Sequence, residues 1–450
     1  MVSRASVVAM MLCGCTSVYR IPAPEPKPPA GAPTQALSMY TRGMVMIAAG
    51  DLEGARKNLQ QARVYDPDSS AILLALARLE MTAGDIGKAL GLYESASSIV
   101  SNDARVWLER GRIELAFGDA ETGRRALLEA ERLGEPWQAR ARLISDDMRN
   151  GRRPRGLVQW AGRTVEDTME LRVRAELRVK AGDVTGGIAD YLALIKARGA
   201  DRSTVGPLIK AAQNGSGVVE ALLGAERIMN DDPNSLAAPM VVGVLSSWIG
   251  DHRAAVEALE RVEIAAGPLS APMQRLLDTS RSTSAPRSTA RLPPPPPLGD
   301  PVSRAVYAVE AEDWQAAEAA IREGLEATEH DARLMYIRSQ VALKRDGEAA
   351  ALREVEQLLG HHPDYSPALN LWAWIQTQVG GDVEQAKSRT IRAINHQPRV
   401  GAYWDTLGWA LHLLGDHDTA RLCLARAARL SPTDPTISDR LQECRQGESL

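Results

Sequence analysis

Residues 50–119 read GDLEGARKNLQQARVYDPDSSAILLALARLEMTAGDIGKALGLYESASSIVSNDARVWLERGRIELAFGD. In this stretch Gly50-Asp51, Gly84-Asp85 and Gly118-Asp119 recur every 34 residues. Around each pair the same frame returns, with Ala55, Ala89 and Gly123 shortly after the glycine and Ala62, Ala96 and Ala130 seven positions further on. A fixed period of this length is the signature of a repeat architecture. Apolar residues at helical spacing, such as Leu73, Leu76 and Ala77, make one helix before each Gly-Asp pair. Glycine ends that helix, aspartate caps the next, and Pro67 or Pro136 stops the second. Each period is therefore a helical hairpin. One hairpin buries too little apolar surface to stand alone, so successive units must stack into a continuous core.

The frame runs on through Gly182-Asp183 and Gly250-Asp251, which are two periods apart, with a worn unit ending at Pro233 between them. Gln138 to Asp167 is one unit shortened by four residues. Its arginines, Arg140, Arg142, Arg149, Arg152, Arg153, Arg155 and Arg163, read as a solvated face rather than an anionic docking patch. These units make a first array over residues 36–269. A Ser/Thr/Pro-rich linker over 270–301 follows, ending in the stiff run Pro293 to Pro297. Units resume over 302–434, weakly around Trp314 and Ala317, then at 332–363, 366–398 and 401–432. The last unit carries the frame most fully in Trp404, Leu407, Gly408, Leu411, Gly415-Asp416, Ala420, Leu424, Ala427 and Pro432. The unit before it has an extra residue, placed at Gly380-Gly381 so that small Ala373 occupies the position of Gly408 and Gly111. Residues 435–450 form a capping helix and tail. The frame resembles the tetratricopeptide-repeat (TPR) family, and the resemblance implies an all-α solenoid of stacked hairpins, here in two arrays joined by the Pro-rich linker.

Composition agrees with a folded helical chain: 44% of the 450 residues are hydrophobic and 24% charged, with aromatics at only 4%. A net charge of -4 supplies no broad positive field, which argues against nucleic acid as a partner. At the amino terminus Arg4, the apolar run Ala5 to Leu12 and Gly14 before Cys15 read as a targeting segment, residues 1–14. Leu12-Cys13-Gly14-Cys15 resembles a bacterial lipobox, departing from its usual pattern at Cys13. The resemblance implies cleavage before Cys15 and a lipid on that cysteine; the alternative is an ordinary cleaved signal. Thr16, rather than aspartate, after Cys15 implies the outer membrane, with the chain lipid-anchored on its periplasmic face. Residues 15–35 are a Pro-rich tether, roughly 60 Å long if extended as polyproline II.

No nucleotide-binding loop, zinc-protease helix or nucleophile elbow occurs, so the reading is no enzyme, no cofactor and no metal site. His361 and His396 recur at one place in adjacent units, but no third ligand accompanies them. The TPR resemblance implies partner binding on the inner helix of each hairpin. In the second array its fifth, ninth and twelfth places are Tyr336, Asn370 and Asp405, then Gln340, Trp374 and Trp409, then Leu343, Thr377 and His412. Trp404 belongs to a packing position instead. Cys423 and Cys444 are candidates for a disulfide in an exported chain, with two buried thiols as the alternative.

The function expected is a protein-interaction scaffold whose partners are proteins or peptides held in the concave groove, supporting an envelope machine for secretion, pilus assembly or cell-wall synthesis. The second reading is a regulatory activator of an envelope enzyme such as a peptidoglycan synthase.

Overall fold

The computed structural model describes residues 33–134, 136–154, 156–198, 202–214, 217–284 and 299–446. The targeting segment, Cys15, nearly all of the tether and the Pro293 to Pro297 run lie outside them. The described residues hold twenty-four α-helices and no strand. Contacts divide the chain into two compact units, Met1–Asp190 and Tyr191–Leu450.

The first unit contains α1 (Thr34–Ala48), α2 (Leu52–Tyr65), α3 (Ser70–Ala83), α4 (Ile86–Ile99), α5 (Ala104–Phe117), α6 (Ala120–Leu133), α7 (Pro136–Arg149), α8 (Leu157–Ala161), α9 (Thr168–Lys180) and the start of α10 (Val184–Arg198). Gly84 ends α3 in the left-handed conformation at φ 84°. Asp85 then caps α4 by accepting the Lys88 N–H. Asp51 and Asp119 do the same for Gly54 and Thr122. The shortened unit keeps α7 but cuts its second helix to the five residues of α8, where Trp160 is fully buried. Its arginines are not simply a solvated face. Arg140 pairs with Glu131, Arg152 with Asp146 at 2.9 Å, and burial pushes the Arg142 guanidinium down to about 10.

The second unit continues with α11 (Arg202–Asn214), α12 (Val218–Asp231), α13 (Ala237–Ile249), α14 (His252–Ala266), α15 (Ala271–Ser284), α16 (Pro301–Glu310), α17 (Trp314–Ala327), α18 (Ala332–Asp346), α19 (Glu348–His361), α20 (Ser366–Val379), α21 (Val383–His396), α22 (Gly401–Leu413), α23 (His417–Leu430) and α24 (Pro435–Gln446). The expected linker is thus shorter than its composition implied. Residues 271–284 are helical because Leu277 and Ser280 find buried places, and the Ser280 hydroxyl reaches that of Ser247 at 3.0 Å.

Nor do the contacts divide at the linker. Residues 218–251 pack on the last two hairpins through a buried ionic layer. Arg426, wholly buried and 4.7 Å from the Trp404 ring centre, donates to Glu226 at 2.5 Å. Arg429 donates to Asp251 at 2.8 Å, while Asp251 also caps α14 by accepting the Ala254 N–H. Val218 N–H donates to Asn395 Oδ1 at 3.1 Å, and Arg399 donates to the Trp248 carbonyl at 2.9 Å. The carboxylates are held by charge-assisted bonds, the form in which buried ions persist.

The weak first unit of the second array has a local cause. Asp313 caps α17 through the Ala316 N–H, as Asp51, Asp85, Asp119, Asp251, Asp382 and Asp416 cap their helices. The residue before it, however, is Glu312 at φ 56°, where Gly50, Gly84, Gly182, Gly250 and Gly415 stand before other capping aspartates in the same positive-φ region. An L side chain in this region costs about 1–2 kcal/mol. Glu312→Gly is expected to stabilise the second unit by about 0.5–1 kcal/mol, after allowing for glycine's larger unfolded-state entropy, as a rise in urea midpoint. An unchanged or lower midpoint would contradict this account of the turn.

Candidate partner groove and the capped end

Inner helices α18, α20 and α22 carry the residues expected to face a partner. On α18, Tyr336 and Gln340 are half-buried, and Tyr336 meets Tyr365 edge-on at 6.1 Å between ring centres. Burial pushes the Tyr336 phenol up to about 12, with the neighbouring Tyr365 acting in the same direction. Leu343 packs on the core of α18–α21. On α20, Asn370 and Trp374 lie one turn apart and therefore on the same face. Trp374 rests partly buried against the same core. The Asn370 Oδ1 is shielded from solvent and accepts no hydrogen bond among the described residues. Thr377 does not line a groove: it is buried, and its hydroxyl turns back to the Trp374 carbonyl at 2.7 Å.

The positions on α22 behave differently, because α24 covers them. Asp405 is buried and ion-paired with Arg440 of α24. Burial nevertheless pushes its carboxyl above the usual carboxylate range, with Arg440 opposing the shift. The same arginine lies over the Trp409 ring at 5.2 Å, and Trp409 stacks on His412 at 5.0 Å. Asp405, Trp409 and His412 thus belong to the seat of the cap rather than to an open wall. Trp404 is a packing residue as expected, fully buried with its indole N–H donated to the Pro398 carbonyl at 2.8 Å.

The disulfide expectation is corrected: Cys423 and Cys444 are both buried and not bonded to each other. Cys423 sits beside the ionic layer, where burial pushes its thiol far up. Cys444 lies at the turn between α22 and α23 instead, with Sγ 3.8 Å from the His417 carbonyl.

Residues 46–113 match the sequence model of the tetratricopeptide repeat. The described residues form stacked helical hairpins, and over residues 46–113 these are tetratricopeptide repeats. Among solved structures, the P58(IPK) TPR domain is similar at 15% identity, with 85% of this chain and 98% of that one covered and a TM-score of 0.24. The Cut9–Hcn1 hetero-tetramer of the APC/C is similar at 10% identity, 92% and 96% coverage and a TM-score of 0.29. YrrB, described as a TPR protein with an unusual peptide-binding site, is similar at 11% identity, 48% and 97% coverage and a TM-score of 0.27. No curated protein matches the sequence.

Of the residues expected to face a partner, Tyr336, Gln340, Asn370 and Trp374 remain partly exposed and lie away from α24. Two tyrosines beside them were not anticipated: Tyr365, which precedes α20, and Tyr403, on the first turn of α22. Burial raises the Tyr403 phenol, and Tyr336 and Tyr365 add to the shift. Aromatic residues near the start of successive inner helices were the available signal.

The seat of the cap has a pH signature. Arg440→Met should cost most at neutral pH, where it strands the buried Asp405 carboxylate. Because Asp405's folded pKa lies above its unfolded value near about 3.9, lowering the pH protonates the folded acid first. The variant's deficit is expected to shrink as pH falls through the raised pKa toward that value. Urea midpoints of both proteins over that range check this, and a deficit independent of pH would refute the assignment.

Proposed function

We propose that this chain is a non-enzymatic scaffold that holds a protein segment along α18 and α20, and that it is lipid-anchored through Cys15 to the outer membrane, on the periplasmic face, in support of an envelope machine. The observation that carries the binding reading is the Asn370 Oδ1, buried without an acceptor bond one turn from the partly exposed Trp374. A buried polar atom left unsatisfied costs about 1–3 kcal/mol. A partner backbone N–H arriving over Trp374 recovers that cost, and an apolar or aromatic segment, such as one face of an amphipathic helix, fills the space beside Tyr336. Among the described residues no helix is long and apolar enough to cross a membrane. Membrane attachment in this reading therefore falls to the amino-terminal lipid.

Partners captured by cross-linking from native membranes provide the assay. Trp374→Ala is expected to weaken capture by about 30-fold, equivalent to about 2 kcal/mol for a groove tryptophan, with little change in melting temperature. Trp409→Ala should instead lower the melting temperature, because that ring seats α24. Retained binding together with a large loss of stability in Trp374→Ala would show that this tryptophan serves packing.

Cys15→Ser tests the anchor separately. The variant should leave the membrane fraction and keep the uncleaved segment. Its continued sedimentation with outer membranes after a high-salt wash would refute lipid attachment.

A further inference from the structure

At the capped end three donor atoms converge from three helices. His412 is in the last turn of α22, His417 is the first residue of α23 and Cys444 is in the last turn of α24. The Nδ1 atoms of the two histidines face each other at 3.1 Å. One ring nitrogen of each histidine and the Cys444 Sγ all lie within 4.8 Å of one another. We propose that His412, His417 and Cys444 bind a divalent metal ion, zinc by its chemistry, that fastens the capping helix to the last hairpin.

The argument rests on geometry and donor type. Zinc takes imidazole nitrogen at about 2.0–2.1 Å and thiolate at about 2.3 Å in a tetrahedral site, which requires nitrogens roughly 3.3 Å apart and sulfur roughly 3.6 Å from each. The two nitrogens already stand at nearly that separation. Without a metal, the two Nδ1 atoms share one proton in a hydrogen bond, one donating and the other accepting. A metal displaces that proton and takes a lone pair from each nitrogen, and the ion also supplies the charge that lets a buried sulfur exist as thiolate.

The surroundings fix the ligands. Trp409 stacks on the His412 ring with planes 20° apart, and the two imidazoles meet edge-on with centres 4.8 Å apart. Arg440 in turn lies over Trp409, so the ring that orients His412 is itself clamped by α24. Glu443, beside Cys444, acts electrostatically on His412 and offsets the excess positive charge of a zinc bound by one thiolate and two neutral imidazoles. Three protein ligands leave a fourth position for water. Softness selects the metal: thiolate with imidazole favours zinc over magnesium or calcium, which prefer oxygen. The site does not depend on the groove reading above, since Asn370 and Trp374 take no part in it.

The test uses the full chain carrying Cys13→Ser, Cys15→Ser and Cys423→Ser, so that Cys444 is its one thiol. After chelator treatment, zinc titration by calorimetry should show one equivalent bound. Cobalt added in its place should give tetrahedral visible bands and a thiolate-to-cobalt charge-transfer band. Cys444→Ser in the same background should weaken zinc binding by about 100-fold or more and abolish the charge-transfer band. Circular dichroism verifies that each variant is folded. Should Cys444→Ser unfold, the parent still decides: zinc must raise its melting temperature and shield Cys444 from a thiol reagent. Absence of stoichiometric binding by the folded parent, or cobalt bound without the thiolate band, overturns the site.

Discussion

Each regular hairpin depends on one close crossing. A β-carbon built on Gly43, Gly111, Gly243 or Gly408 would lie 2.6–2.7 Å from Cγ of Leu59, Leu127, Leu259 or Leu424 respectively, always the leucine 16 residues later. The inner helix thus approaches its outer partner so closely that a leucine fills the space a side chain would take. That contact sets the angle and separation within a hairpin, and the next hairpin packs on the ridge so formed. Overpacking at such a point costs typically about 1–3 kcal/mol, so the small residue is a geometric requirement. Ala373 is fully buried at the equivalent place in α20.

The same contact explains why so much of the fold was legible in the sequence. Small residues at fixed offsets from Gly-Asp pairs report a backbone approach and a cap, and both are local. The extra residue assigned to the Gly380-Gly381 turn lies there in the structure: Gly380 ends α20 in the left-handed region, and Asp382 caps α21. Glu312 hid a unit because it occupies a turn position where glycine is the usual marker. The stretch 271–284 was read as linker because its Ser, Thr and Arg content outweighed two buried positions, Leu277 and Ser280, too few to register as a helical period.

The site was legible only in part, for a related reason. Counting along the repeat names the places on α18, α20 and α22 expected to face a partner, and of these Tyr336, Gln340, Asn370 and Trp374 stay partly exposed away from α24. What lies over those residues depends on the neighbouring unit. At the end of the array that neighbour is α24, whose Arg440 pairs with Asp405 and covers Trp409. Equivalent places in consecutive units thus have different chemistry, one wall open and one sealed. The approach of His412, His417 and Cys444 was hidden similarly, since no spacing along the chain announces a cluster assembled from three helix ends.

The ionic layer of the second unit bears on how the chain reaches its fold. Stacked repeats ordinarily contact only their neighbours, which keeps contacts short in sequence and lets structure spread from unit to unit. Arg426 with Glu226, and Arg429 with Asp251, join positions 200 and 178 residues apart. During synthesis, helices α12 to α14 emerge long before the arginines that neutralise Glu226 and Asp251. Their acidic face remains hydrated until α23 is free to fold, and a very long loop closes when the two finally meet. Completion of this unit is therefore a late, cooperative step governed by loop closure rather than by local helix formation.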